Sequence, residues 1–540
     1  MTAPEEIVPA EIAGDKPVKE TAQGRKGGAA VLVAIGILAS RVFGVLRQSL
    51  SAKYLGASGP ADAFAAAFKF TNILQNLFGE GALSASFIPT YSRLLAQGDE
   101  EEAGRVAGAI ASLLALFVAV IVLVGVVLTP LLIPLIAPGF EGERRELTIR
   151  LTRILFPGAG IFVMSAWCLG ILNSHRRYLL SYSAPVLWNV AMIGALFAAG
   201  PRQSTTDLAV TLAWASVVGA ALQFLVQLPT AVRLAKHLRL HPYTTSPNVR
   251  QIAKSSGPVF VSRGVVQISS YIDQILSSLL PKGMVATFSY ASTIAVLPVS
   301  LFGMAVSAAE LPEMSRATGT DEEVATYLRG RLAKGLRHIA YFVIPSAAAF
   351  LALGDVLAGL LFQYGKFTPR DTLFAWGILG GASVGLLAST MGRLYSSTYY
   401  ALHDTKTPLR FAMLRVALTT VLGYLFALPI PRLLGLDPHW GGAGLTMSAG
   451  IAGWVEFSLL RSRLNRRIGP TGVPARFVAL LWTAAAVAAA GAWAMRLGAL
   501  HMPKLLGELA VLGTYGVIYL GMTVALGIPE ARAVVARVRR

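Results

Sequence analysis

From about residue 28 to residue 527, stretches of twenty or more mostly apolar residues follow one another with only short polar breaks. A helix needs roughly 20 apolar residues to cross a bilayer. Inside the hydrocarbon only helices and closed barrels satisfy every backbone group. None of the stretches shows the ten-residue alternation of a barrel strand. Fourteen spans are expected, at about 28–53, 60–92, 106–137, 147–172, 179–200, 207–232, 251–280, 285–313, 334–362, 372–401, 407–430, 441–460, 476–498 and 505–527. Composition agrees: charged residues make up 14% of the 540, against about 25% in soluble domains, and mean hydropathy is +0.60. That is too little charge to coat soluble domains and too much apolar surface for a disordered chain. The single Cys168 excludes a disulfide framework. A net charge of +19 would suit a nucleic-acid binder, but the hydropathy does not. The fold class expected is an all-α polytopic membrane protein.

Fourteen spans place both termini on one side, and the Lys/Arg distribution says which. The N-terminal tail, the even-numbered loops and the C-terminus hold 29 of the 47 basic residues. The odd-numbered loops hold 12, and six fall inside spans (Arg41, Arg47, Lys69, Arg263, Arg393 and Arg415). Both termini are therefore expected in the cytoplasm. Residues 1–27, polar and without an apolar run, read as a disordered cytoplasmic tail and not a signal peptide.

The chain also repeats itself. Leu77 to Arg93 reads LFGEGALSASFIPTYSR, and Leu301 to Arg316 reads LFGMAVSAAELPEMSR. With one gap they share L-F-G, a Ser-Ala pair and P-x-x-S-R at an offset of 223–224 residues, which Pro185 and Pro408 keep. The offset spans six helices, so the copies run in the same direction, as parallel repeats about an axis along the membrane normal. The expected units are an N-lobe at 28–236 (helices 1–6) and a C-lobe at 250–463 (helices 7–12) around a central cavity. Helices 13–14 follow at 474–527, then a basic cytoplasmic tail at 528–540. This is a transporter plan, with substrate between lobes that rock against each other.

A charge at the bilayer centre costs about 2.5–3.5 kcal/mol on the insertion scale. In the first span Ser40, Gly44, Arg47 and Ser51 share a stripe beside Arg41 and Gln48. In the second, Lys69, Asn72, Asn76 and Glu80 recur at helical spacing. In the seventh, Arg263, Gln267, Ser270 and Gln274 do so, with Asp273 adjacent; in the tenth, Ser389, Arg393, Ser396 and Tyr400. Lys69 and Arg415, near span ends, can equally be read as snorkelling to the interface. Stripes on both lobes point to a shared wet cavity. One lined by arginine favours a phosphate- or carboxylate-bearing substrate. Four of the seven His lie in short loops without metal-ligand spacing, and no Walker A motif is present.

Several stretches resemble the MurJ/MviN lipid II flippase family of the MOP exporter superfamily. They are Ser40-Arg41-Val42-Phe43-Gly44 with Arg47; Ala61-Asp62-Ala63-Phe64 with Lys69; Glu80-Gly81-Ala82 to Pro89; Ala137-Pro138-Gly139-Phe140; Phe362 to Phe367; and Tyr399-Tyr400-Ala401 to Pro408. The resemblance implies fourteen helices, two lobes and a cationic cavity. It implies transfer of an undecaprenyl-pyrophosphate-linked disaccharide-pentapeptide to the outer leaflet of a bacterial inner membrane for peptidoglycan synthesis. It implies a groove for the lipid tail at the last two helices, and drive from membrane potential or a sodium, proton or chloride gradient. Expected partners are this lipid, membrane lipids and the cell-wall synthesis machinery; a monomer is expected, with no cofactor, no nucleic acid and no enzymatic activity. Arg41, Arg47, Asp62 and Arg393 match family cavity positions, and Asp273 matches an aspartate some members use for sodium. Gln48 stands where Asp is usual, and Gln75 and Thr293 where Arg is usual. The cavity set is therefore Arg41, Arg47, Asp62, Lys69, Gln75, Glu80, Arg263 and Arg393, with Arg263 and Lys69 as replacement cations. Two other readings stay open: a MOP-type exporter of another polyprenyl-linked saccharide or of a drug or cation, and a membrane-embedded transferase.

Overall fold

The computed structural model describes residues 21–241 and 245–538. They form helices and connecting turns, with no strand among the described residues. The helices are α1 (Thr21–Leu55), α2 (Gly59–Phe78), α3 (Glu80–Ala96), α4 (Glu100–Ile136), α5 (Gly142–Ser174), α6 (Tyr178–Ala199), α7 (Thr205–Leu234), α8 (Pro247–Ser278) and α9 (Met284–Pro298). They continue as α10 (Ala305–Met314), α11 (Asp321–Phe362), α12 (Pro369–Ala401), α13 (Lys406–Ala427), α14 (Pro429–Leu433), α15 (Gly441–Ile468), α16 (Ala475–Gly498), α17 (Lys504–Ala525) and α18 (Pro529–Val538). Each expected span coincides with a helix or a broken pair of helices. Eleven helices or helix pairs among the described residues are long and apolar enough to cross a membrane. Of the four helices with polar stripes (α1, α2, α8 and α12), only α12 is among those eleven. The α1 helix begins at Thr21, so the last seven residues of the expected tail, 21–27, are helical; residues 1–20 lie outside the described residues.

The repeat is visible in the packing. In the first half α5 packs on α2, α3, α4 and α7, and α6 packs on α1 and α7. In the second half α12 packs on α9, α10, α11 and α15, and α13 packs on α8 and α15. The two sets match helix for helix under the sequence offset. Both copies of the L-F-G motif are breaks: Gly79 separates α2 from α3, and Leu301 to Gly303 lie in a π-helical turn (Val299–Met304) between α9 and α10. Several apolar runs carry internal Gly or Pro, and nothing in the run says which of these interrupts the helix. In the C-lobe α12 meets α15 at Gly385 and Gly450, where a Cβ on either would strike the other's backbone. Small residues allow such close helix approach in membranes.

The hairpin α16–α17 attaches to α11 at two backbone defects. Pro345 leaves the carbonyl of Tyr341 without its helical N–H, and the Tyr519 hydroxyl donates to it at 2.7 Å. At Leu353 the helix is kinked (φ −132°, ψ 16°). There the indole N–H of Trp376 reaches the Leu351 carbonyl at 3.0 Å, and that of Trp493 reaches the Ala352 carbonyl at 3.1 Å. Between α11, α17 and α18 an apolar groove of about 330 Å³ is lined by Tyr341, Phe342, Pro345, Tyr515, Tyr519 and Val534. The Glu530 carboxylate of α18 pairs with Arg337 of α11 at 2.9 Å.

The lobes meet near the even-loop face, where α3 and α4 pack on the start of α8 and Arg93 donates to Asn248 Oδ1 at 2.9 Å, and again at the odd-loop face. The turn after α1 lies against the turns before α9 and α12: the Lys366 N–H donates to the Lys53 carbonyl at 2.8 Å, and the Ser49 hydroxyl donates to the Leu361 carbonyl. Gly283 sits at φ +91°, and a side chain there would run into the Ala57 carbonyl across the seam. Gly283→Ala combines left-handed strain of about 1–2 kcal/mol with that clash. It should lower the unfolding midpoint of the detergent-solubilised protein by several degrees, measured by thermal melting.

Candidate functional site

The seam and the polar interior share one carboxylate at their boundary. Asp62, in the first turn of α2, is fully buried. It accepts the N–H of Gly283 at 2.6 Å and of Ala286 at 2.8 Å, and Arg144 of α5 approaches it at 3.3 Å. A side chain of the first lobe thus caps a helix of the second, where orphan N–H groups and the dipole favour an anion. Arg144 also donates to the Gly139 carbonyl and lies over the Phe140 ring at 4.1 Å. Asp62 therefore belongs to the seam at the odd-loop face. Sequence reasoning left Arg144 among the odd-loop cations, because only the fold brings the start of α5 under α2.

One helical level further in, Arg47 is 9% exposed. Its Nε donates to Asn189 Oδ1 at 3.1 Å and its Nη1 to Gln48 Oε1 at 3.3 Å. The guanidinium faces the rings of Trp188 at 4.8 Å and Phe68 at 5.8 Å, which stack on each other. A planar cation with donors along its edge fits such a box, and an ammonium does not. Asn189 and Trp188, on α6, carried no signal in the sequence beyond their polarity in an apolar span.

Gln48 continues the chain, its Nε2 donating to the Thr293 hydroxyl of α9 at 3.4 Å. Two of the three positions where charged residues are usual in the resembling family, Gln48 and Thr293, are thus hydrogen-bonded partners here, one on each lobe. A neutral pair replaces a potential ion pair, and both departures have one physical cause. Thr293→Arg alone would add a second cation near Arg47 with no acid to answer it, whereas Gln48→Asp would have Arg47 as its counter-charge. Adding Gln48→Asp to Thr293→Arg should therefore restore function that Thr293→Arg lacks, read as growth rescue of a flippase-depleted strain.

The remaining candidates spread toward the even-loop face. Arg41 is exposed on α1, six residues from Arg47 and off its stripe. Gln75 is half-buried on α2. Arg393 is exposed on α12, with Arg415 and Glu456 as charge neighbours; Arg415 pairs with Glu456 at 3.0 Å. Lys69 is half-buried on α2, where the Tyr271 hydroxyl of α8 donates to its carbonyl at 3.4 Å. The side chains of Glu80 and Arg263 lie outside the described residues. Asp273, on α8, has Lys69 and Arg415 as its charge neighbours, and its Oδ1 is buried without a hydrogen-bond partner among the described residues. A sodium ion needs several convergent oxygens and net negative charge. Here one carboxylate faces two resident cations, and among the described residues no three His, Cys, Asp or Glu gather. The residues present do not fit that ion.

Outside the spans, the turn before α13 is held by Asp404. Its carboxylate accepts the Thr407 N–H at 3.0 Å and hydroxyl at 2.8 Å. The backbone bond, foremost, keeps its carboxyl below the usual range.

Two packing-equivalent lobes, with cations on facing helices of their interior, give the plan of a polytopic membrane transporter. The same fold is found in an inward-facing multidrug resistance MATE family transporter of the MOP superfamily, at TM-score 0.64 and 20% identity over 81% of this chain and 98% of that one. Within that class the chain belongs to the lipid II flippase MurJ family, whose model matches residues 51–510. It is 31% identical to the lipid II flippase MurJ of Burkholderia cenocepacia over 80% of this chain and 82% of that protein. It is 30% identical to the probable lipid II flippase MurJ of Rhizobium tropici over 80% and 79%. A solved lipid II flippase MurJ in an inward closed conformation superposes at TM-score 0.75, with 22% identity over 92% of this chain and 98% of that one. The protein is thus a multi-pass bacterial membrane protein of a transporter family.

Proposed function

We propose that this protein moves lipid II, the polyprenyl-pyrophosphate-linked peptidoglycan precursor, from the cytoplasmic to the outer leaflet by alternating access, without chemical conversion. The observation that carries this reading is the Arg47 box. It is a buried guanidinium on the wall of the interlobe space, joined through Gln48 to the opposite lobe, in a chain of the lipid II flippase family. Arginine binds a diphosphate through paired donors and keeps its charge at any physiological pH. Arg41, Lys69 and Arg393 supply further cations on the same path. The basic even-loop face is cytoplasmic by the positive-inside bias, which puts the Asp62 seam at the outer face. The polyprenyl tail occupies the apolar groove between α11 and α17, whose mouth α18 borders.

The test has two parts. The gene should rescue a strain depleted of its own lipid II flippase. The purified protein in proteoliposomes should move labelled lipid II across the bilayer, and a membrane potential should alter the rate if the net charge moved differs from zero. Correct insertion without rescue and without lipid II movement would defeat the assignment. Movement of another polyprenyl-linked saccharide in its place would favour the second reading.

A further inference from the structure

The mismatch between Asp273 and a soluble cation has a specific structural cause. Asp273 sits five residues before the C-terminal end of α8, the helix that begins the second repeat; Lys69 sits on α2, in the first. The two helices touch at this level, where the Tyr271 hydroxyl reaches the Lys69 carbonyl at 3.4 Å. Each of the two charges is the other's main opposite-charge neighbour across the lobe boundary, yet they form no contact ion pair. Arg415, the second cation near Asp273, already has its own carboxylate in Glu456 at 3.0 Å. That leaves Asp273 with a buried Oδ1 unpartnered among the described residues and one cation, Lys69, whose acidic neighbour among them is Asp273.

We propose that Lys69 and Asp273 form a resident charge couple between the lobes, and that the substrate diphosphate exchanges with Asp273 for Lys69. The protein supplies from its own first lobe the positive charge that a soluble ion would otherwise bring to Asp273. A dianionic diphosphate entering the interlobe space is the stronger partner for the ammonium. It releases Asp273 and removes an electrostatic tie between α2 and α8 as it binds. Loading and loosening of the lobe boundary are thereby one event, and the cycle needs no sodium.

This inference rests on a polyprenyl diphosphate being the cargo, and the experiment separates the two. The full-length protein in nanodiscs is titrated with labelled lipid II in sodium chloride and in choline chloride at equal ionic strength. Wild type should bind equally in both salts. Removing the carboxylate that competes with the diphosphate for Lys69 should tighten binding of Asp273→Asn about tenfold, and Lys69→Gln should weaken it about tenfold. The double variant should match Lys69→Gln, because Asp273 acts only through Lys69. Should Asp273→Asn fail to give monodisperse protein, Asp273→Ser and the Lys69→Gln arm carry the same comparison. Sodium-dependent binding in wild type that Asp273→Asn abolishes would overturn the proposal, as would unchanged affinity in both single variants. If wild type binds no polyprenyl diphosphate, the flippase assignment falls and this proposal with it. If wild type binds and the variants do not differ, only the charge couple falls.

Discussion

Asp62→Ala is expected to abolish rescue of a flippase-depleted strain while the protein still inserts. The carboxylate holds two N–H groups at the start of α9 and the Arg144 guanidinium, and it does so from the other lobe. Removing one partner of a buried, charge-assisted set costs about 3–5 kcal/mol. At about 1.4 kcal/mol per tenfold, this lowers the closed-to-open ratio of the odd-loop seam at least a hundredfold. Asp62→Asn should be milder, since the amide oxygen still accepts one of the two N–H groups and its NH₂ repels the other donor. A cysteine pair at Ala57 and Lys282, on facing turns, should crosslink readily in a background with Cys168 replaced. Crosslinking should fall steeply once Asp62→Ala is added. Undiminished crosslinking together with lost rescue would mean that Asp62 acts on substrate and not on the seam.

Arg47→Ala should abolish lipid II movement and weaken lipid II binding by about a hundredfold. Hydrogen bonds to a charged group are worth about 1.5–3 kcal/mol, and stacking on an aromatic face adds about 0.5–2 kcal/mol. In the structure these interactions position the guanidinium on Asn189, Gln48, Trp188 and Phe68. Arg47→Lys keeps the charge but cannot reach Asn189 and Gln48 together or lie flat on Trp188. It should bind lipid II more tightly than Arg47→Ala and still transport slowly. Titration of labelled lipid II and proteoliposome transport separate these outcomes. Equal behaviour of the Lys and Ala variants would show that guanidinium geometry, and not charge alone, is required. Wild-type transport by Arg47→Ala would remove the arginine box from the mechanism.

Much of the architecture was legible because it follows from solvent. Apolar run length placed the helices, eleven of which, singly or in pairs, are long and apolar enough to cross a membrane among the described residues. The P-x-x-S-R repeat at constant offset foretold the matching packing around α5 and α12. The helix breaks at Gly79 and at Leu301 to Gly303 were not legible, since a broken and an unbroken transmembrane helix satisfy the same hydropathy. The candidate site was legible in part. The stripe on α1 singled out Arg47, but its neighbours Trp188 and Asn189 come from α6, about 140 residues on, where a lone tryptophan and asparagine carry no pattern. Asp62 was grouped with the cavity because an acidic residue in an apolar segment signals function without saying where it points.

The division has a physical basis. Burial in a bilayer is a one-dimensional constraint: it acts on each segment by length and polarity, so the sequence alone determined an all-helical, repeated, membrane-spanning chain with a few costly charges that need a reason. The partner of each charge is a three-dimensional matter, set by which helices the packing brings side by side. Only the tertiary structure decided that Asp62 caps α9 across the seam, that Gln48 and Thr293 answer one another as a neutral pair, and that Asp273 faces Lys69. Each of those pairs joins residues more than 200 positions apart, and no local pattern encodes such a meeting.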